Sequence, residues 1–230
     1  MRRLAPYVLL CVIVGYGVWT LRGDDDGDQT DQPPVESIDP GKLITLSSAL
    51  ARLRVEPEDH TQYRRSYFGD GWIDVDGDCQ RTRAEVLIRD SSVKPRISRS
   101  GCTVVGGRWN SYYDNRTTTD PFALQIDHLI PLAEAWDSGA YQWSAARRVA
   151  FANDLGDARA LVPTTNAVND DKEADDPPGF IPSKNVCRYV QAWIAVKLRW
   201  DLSADAREHR ALASLVADCP DSAMNVKVVP

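Results

Sequence analysis

The residue types best suited to chemistry gather around one of only three histidines in the chain. His128 lies in Gln125-Ile126-Asp127-His128-Leu129-Ile130-Pro131, a strand-like run that Pro131 brings to an end. His60 and His209 sit in polar contexts typical of surface positions. An imidazole titrates near the pH at which most enzymes work, so His128 is suited to taking a proton from water as a general base. An Asp-His pair alone says little; the residues downstream of it say more. Asn153 stands in Phe151-Ala152-Asn153-Asp154-Leu155, a strand-like Ala160-Leu161-Val162-Pro163 comes next, and Asn169 is followed three residues later by Lys172. Neighbouring side chains on a strand point to opposite faces, so Asp127 and His128 diverge unless the strand stops there.

This order resembles the HNH endonuclease superfamily. There a strand ends in Asp-His followed by two apolar residues and proline, a loop carries a middle asparagine, and a second strand leads into a helix with Asn-x-x-Lys. The similarity to small secreted or membrane-anchored bacterial nucleases of that kind continues outside the motif. It runs through Tyr67-Phe68-Gly69, Trp72, Asp74, Asp76, Cys79, Thr82-Arg83, Val86-Leu87 and Arg89-Asp90. It resumes at Gly101-Cys102, Gly107, Trp109, Ala135-Trp136, Ser138-Gly139-Ala140, Trp193-Ile194 and Val196-Lys197, covering about residues 62–202 in order.

The resemblance implies a metal-dependent endonuclease hydrolysing phosphodiester bonds, with DNA the expected substrate. It implies one divalent ion, Mg2+ expected with Mn2+ or Zn2+ as alternatives, held by the charged oxygen of Asp127 and the neutral oxygen of Asn169. Asn166 rivals Asn169, but the spacing to Lys172 favours Asn169. His128 is the catalytic base, and Asn153 supports it by holding the loop and orienting the ring. Lys172 and Arg83 are candidates for the substrate phosphate, with a solvated helix lysine as the alternative for Lys172. One departure is visible. Members of the family commonly show Ser-Lys-Gly-Asp after the last asparagine, whereas Asp171-Lys172-Glu173-Ala174-Asp175 is longer and more acidic. Added negative charge beside a polyanion's path weakens binding, most of all at low salt.

The elements expected to position these groups form an α+β fold. A ββα-metal core at about 122–176 contains an inserted helix at 132–150 and is flanked by a strand-rich disulfide lobe and a C-terminal helical hairpin. Leu43, Leu46, Leu50 and Leu53 recur at helical spacing and predict a helix up to Val55, where Pro57 stops it. Glu85-Val86-Leu87-Ile88-Arg89 and Thr103-Val104-Val105 are strand-like. Val190, Trp193, Ile194, Lys197 and Trp200 predict a helix from near Cys187, and Ser203 is placed to cap a second one ending near Cys219. Two antiparallel helices bring those cysteines together. That favours Cys187–Cys219 and leaves Cys79–Cys102 to close the segment between Arg81 and Arg108, which carries seven bases against two acids.

Met1-Arg2-Arg3 followed by the uncharged run Leu4–Leu21 predicts a signal anchor or signal peptide over 1–21, with the domain sent outward. Residues 22–41 hold seven acids against Arg22 and predict a disordered acidic linker, leaving 42–230 as a near-neutral nuclease domain within a chain of net charge −6. The expected partners are therefore a nucleic acid substrate and, through the N-terminal segment, a membrane. Two other functions compete. A non-catalytic surface-tethered binding module would not need Asp127, His128, Asn153 and Asn169 together. A calcium-stabilised structural domain rests on Asp74, Asp76 and Asp78, which begin like a calcium loop, but Cys79 stands where that loop needs glycine.

Overall fold

The computed structural model describes residues 42–60 and 62–230, so the expected leader and linker at 1–41 lie outside the described residues. Strand β1 (Leu43–Thr45) runs directly into helix α1 (Leu46–Ala51). Helix α2 (Thr82–Asp90) precedes the short strands β2 (Arg96–Ile97), β3 (Val104–Gly106), β4 (Trp109–Ser111) and β5 (Arg116–Thr118). Then come β6 (Leu124–His128), α3 (Leu132–Asp137), α4 (Ala145–Ala152), β7 (Leu161–Thr165) and α5 (Asn166–Lys172). Helices α6 (Val186–Trp200) and α7 (Ala206–Ala217) and strand β8 (Ala223–Asn225) complete the order. The strands pair two by two, all antiparallel: β1 with β8, β2 with β3, β4 with β5, β6 with β7.

Helix α6 is the central beam. Tyr189, Val190, Trp193, Ile194, Ala195, Val196 and Trp200 are all buried, so it is covered on nearly every side rather than along one stripe. At about 1.5 Å per residue its fifteen residues span roughly 22 Å. A disulfide joins Cys187 at its start to Cys219 just beyond the end of α7, and a second joins Cys79 to Cys102. Among the described residues no helix is long and apolar enough to cross a membrane.

Four local expectations are corrected. The leucine repeat from Leu43 does not make a helix to Val55: β1 pairs with β8 near the far end of the chain, and the Thr45 side chain caps the short α1 by accepting from Ser48 N–H. A partner so distant in the chain is invisible to local spacing. Residues 85–89 form part of α2, not a strand. Thr82, Ala84, Val86 and Leu87 are buried there, and Trp109 Nε1–H donates to Leu87 O, so packing overrides the β-branched composition. The helix expected over 132–150 is two. Gly139 takes φ +125 after α3, and the Ser144 hydroxyl accepts from Arg147 N–H to start α4. Finally, Asp205 rather than Ser203 caps α7, accepting from Glu208 N–H, while the buried Ser203 hydroxyl donates to Ser138 O.

Candidate active site around His128

Strands β6 and β7 form a continuous antiparallel ribbon, from Leu124 opposite Thr165 to His128 opposite Leu161, and α5 starts at the residue after β7 ends. The pleat sends Gln125 and Asp127 to one face and Ile126 and His128 to the other. Helix α5 lies along the first face: Asn169 Nδ2 donates to Gln125 Oε1 at 2.7 Å, and Lys172 Nζ donates to Asp127 Oδ1 at 3.0 Å.

Asp127 is almost wholly enclosed. Its Oδ1 accepts from Lys172, and its Oδ2 accepts from the buried Tyr113 hydroxyl at 2.6 Å. Burial pushes the Asp127 carboxyl above its ordinary value, and the Lys172 ammonium and Tyr113 hydroxyl oppose that shift. Lys172 also donates to His128 O at 3.1 Å and has no exposed side-chain surface. It therefore cannot meet a substrate phosphate, which corrects that expectation. An ammonium that is buried must be paired, and this one is paired inside the fold.

His128 faces the other way. Its ring stacks on Trp72 with centroids 5.0 Å apart, and Nε2 lies 2.9 Å from Ala152 O. A carbonyl can only accept, so Nε2 carries the proton and the neutral ring offers its Nδ1 lone pair. Nδ1 takes no partner among the described hydrogen bonds. Burial lowers the imidazole to about 4; the Ala152 carbonyl opposes this, and the positive charges of Arg65 and Lys172 add to it. The half-buried ring lines a cavity of about 60 Å³ with Arg65, Phe68, Gly69, Trp72 and Ala152. Gly71 and Trp72 also line a larger cleft of about 510 Å³ that includes Arg81, Arg83, Phe122 and the Cys79–Cys102 bridge.

The hydrogen bonds of Asn153 go elsewhere than His128. Its Oδ1 accepts from Ile73 N–H at 3.1 Å and from the Thr82 hydroxyl at 2.7 Å, and its Nδ2 donates to Val149 O at 3.0 Å. It pins the loop that carries Trp72 to the end of α4, where Ala152 O accepts the hydrogen bond from His128 Nε2–H. Asn153 thus braces both neighbours of the ring. Arg83 lines the cleft, but its Nη2 already donates to Pro121 O and Leu124 O, each at 2.9 Å, so this part of the guanidinium braces the entry to β6. Arg65, at the start of a 3-10 turn (Arg65–Phe68), is the cation that the sequence did not single out. Only the fold brings it to His128.

Toward a divalent ion these residues would offer one open donor and one engaged donor. Asn169 Oδ1 is buried without a hydrogen-bond partner among the described residues, the kind of orphan that a metal ion would satisfy. Asp127 gives one hydrogen bond's worth of each oxygen to Lys172 and Tyr113 and retains one lone pair on each.

Comparison with known proteins fits this arrangement. The family of GmrSD restriction endonucleases, C-terminal domain, matches residues 81–215. The chain belongs to this family. The matched span holds Asp127, His128, Asn153, Asn169 and Lys172, whereas Arg65 and Trp72 precede it. The chain is thereby placed among nuclease-type domains. It is also 37% identical over 178 residues, 76% of this chain and 85% of the relative, to an uncharacterized secreted protein of Arthroderma benhamiae. That relative is fungal, where the motif resemblance pointed to bacterial ones. No solved structure matches the chain.

Proposed function

We propose that this protein is an endonuclease of the HNH, or ββα-metal, type that hydrolyses phosphodiester bonds in DNA outside the cytoplasmic membrane. One observation carries the proposal. In a chain of a nuclease family, a neutral histidine is locked by Nε2–H to Ala152 O, has no hydrogen bond at Nδ1 among the described residues, and lines a cavity together with Arg65. The order β6, β7, α5 supports the ββα assignment. Two disulfides and a secreted relative support an extracytoplasmic site. The apolar run 4–21 supports an anchor or leader.

In the proposed reaction His128 Nδ1 removes a proton from the attacking water. The ring becomes an imidazolium, and its Nε2–H bond to Ala152 O becomes charge-assisted and stronger as the transition state forms. Trp72, stacked on one face, keeps the ring from turning away. Arg65, which lines the same cavity, would pair its guanidinium with the scissile phosphate, a ligand that arginine can hold through two parallel hydrogen bonds. Asn169 Oδ1 and a remaining lone pair of Asp127 would hold a divalent ion, Mg2+ by the chemistry of two oxygen donors. Asp127 and Asn169 sit on the face of β6 opposite the His128 ring, so such an ion would supply its positive charge to the phosphate and leaving oxygen past the strand's end at His128.

A plasmid-nicking assay tests the proposal, with magnesium, manganese, zinc or EDTA and with His128→Ala in parallel. Metal-dependent cleavage should fall at least ~100-fold in the variant, the scale of general-base catalysis. Normal cleavage by His128→Ala would remove the histidine from the mechanism. Folded protein that cuts neither DNA nor RNA with any metal would favour the binding module.

A further inference from the structure

Acidic side chains also collect at a place that shares no residue with the His128 site. Glu58 lies in the chain that follows α1, Asp176 in the segment after α5, and Asp205 at the cap of α7. One carboxylate oxygen from each lies within 4.8 Å of the others. Two oxygens facing each other across a calcium ion, each at about 2.4 Å, stand about 4.8 Å apart, and adjacent ligands stand closer. The three oxygens are therefore close enough to share one ion.

The neighbouring charges show why the place is unfinished. Glu58 also approaches Glu134 and Glu208, but those two are answered by the buried Lys197, whose Nζ donates to Glu134 Oε1 at 2.6 Å and Glu208 Oε2 at 2.5 Å. The Glu58–Asp176–Asp205 group has weaker company. Arg207, more than half exposed, reaches Asp176 Oδ1 at 2.7 Å, and the exposed His60 comes to 3.4 Å from Glu58. Asp205 Oδ1 is used by Glu208 N–H. Asp176 Oδ2 is fully buried and has no hydrogen-bond partner among the described residues, and the Asp176 side chain as a whole is only 9% exposed. Leaving a charged oxygen in that state costs free energy unless something fills the place. Burial and the surrounding carboxylates push Glu58 up to about 7 and Asp176 upward, the sign of negative charge without enough positive charge.

We propose that Glu58, Asp176 and Asp205 form a site for a hard divalent cation of the calcium type, which ties the segment after α1 to the segment after α5 and to the start of α7. Donors that are all oxygen, without imidazole or thiolate, select calcium or magnesium over zinc, and an irregular carboxylate-rich group drawn from three segments suits calcium better. Glu56 N–H to Ala204 O and Asp59 N–H to Asp137 O, both 3.0 Å, hold Glu58 in place from either side. The exposed trio Asp74, Asp76 and Asp78 is a separate cluster, whose oxygens turn inward to the N–H groups of Gly77, Cys79, Asp78 and Gln80. It serves as the control.

The test is thermal unfolding of the full oxidised chain, stripped with EDTA, with and without ~1 mM calcium, at an affinity typical of extracellular sites. At roughly ten times Kd the midpoint should rise about 3–6 °C. The rise should persist in Asp76→Asn and in His128→Ala and disappear in Asp176→Asn and Glu58→Gln. If Asp176→Asn does not fold, Glu58→Gln decides. No rise in the unaltered chain would mean that protons alone balance these acids, and a rise that survives both substitutions would place calcium elsewhere; either result overturns the proposal. Cleavage is not the readout, so failure of the nuclease proposal would leave the outcome unaffected.

Discussion

The two faces of β6 carry adjacent residues to opposite fates. On one face Asp127 is 6% exposed and both its oxygens are hydrogen-bonded, to the buried Lys172 and the buried Tyr113. On the other, His128 is half-buried and open at Nδ1, with its second nitrogen fixed to a carbonyl. The first face is an enclosed, charged layer that carries the donors of the proposed ion, and the second presents the ring proposed as the base. A motif that reads as one unit in sequence is therefore two devices back to back, joined by Lys172, which donates both to Asp127 and to the carbonyl of His128 itself.

The largest effect should come from breaking the buried face. Lys172→Met leaves the Asp127 carboxylate enclosed without its cation, and removing one partner of a buried pair costs about 3–5 kcal/mol. Urea unfolding should show that loss, and adding Asp127→Asn should recover much of it, because the uncompensated charge is then gone. A Lys172→Met protein as stable as the original would mean that this face is not the enclosed layer described. His128→Ala should do the reverse. Cleavage falls at least ~100-fold while the urea midpoint barely moves, since the ring is partly exposed and its loss strands no buried charge. Equal losses of stability in the two variants would erase the distinction between the faces.

How much of the molecule was legible in the sequence depends on which interactions are local. Strand β7 and the helices α6 and α7 lie where apolar spacing puts them, because each makes its apolar face from its own residues, and the hairpin then brings Cys187 to Cys219. Strand β1 was hidden because its partner β8 is at the other end of the chain. Helix α2 was hidden because Val86 and Leu87 are buried by tertiary packing that a β-rich composition does not foretell. In the site, the type and place of His128 were readable, but not the burial of Lys172, which depends on Tyr113 and Asp127 converging from two other segments. Arg65 carries no motif of its own. An arginine gains meaning only from what the fold sets beside it.

Asn153→Ala should give a mixed result, and this sharpens the comparison. Removing the amide leaves Ile73 N–H and the Thr82 hydroxyl without their acceptor, a cost of about 1–3 kcal/mol. It also loosens the Trp72 loop and the α4 end that present a stacking face and a carbonyl to His128. Stability should therefore fall less than in Lys172→Met, and the cleavage rate less than in His128→Ala. A positioning residue also leaves the pKa of the base nearly in place, so the shape of the pH–rate curve should survive while its height drops. A rate loss with no change in stability would make Asn153 a participant in the reaction instead.

The smallest effect at neutral pH, and the most specific to the working face, concerns the acid side of that curve. An exposed histidine with the ordinary value of about 6.5 would lose base activity below about pH 6–7. Burial lowers His128 to about 4, so the base form should persist through pH 5 and activity should decline only as pH approaches 4. The same shift acts on stability with a definite sign. Between about 6.5 and 4 the unfolded chain binds a proton that the folded ring refuses, so the contribution of His128 is complete above 6.5 and is lost as pH falls through that window. His128→Ala removes this contribution, and its stability should decline less steeply than that of the original protein from about pH 6.5 to 4. An acid limb near 6.5, with parallel stability curves, would mean that the ring is solvated and that the second face of β6 is an ordinary surface.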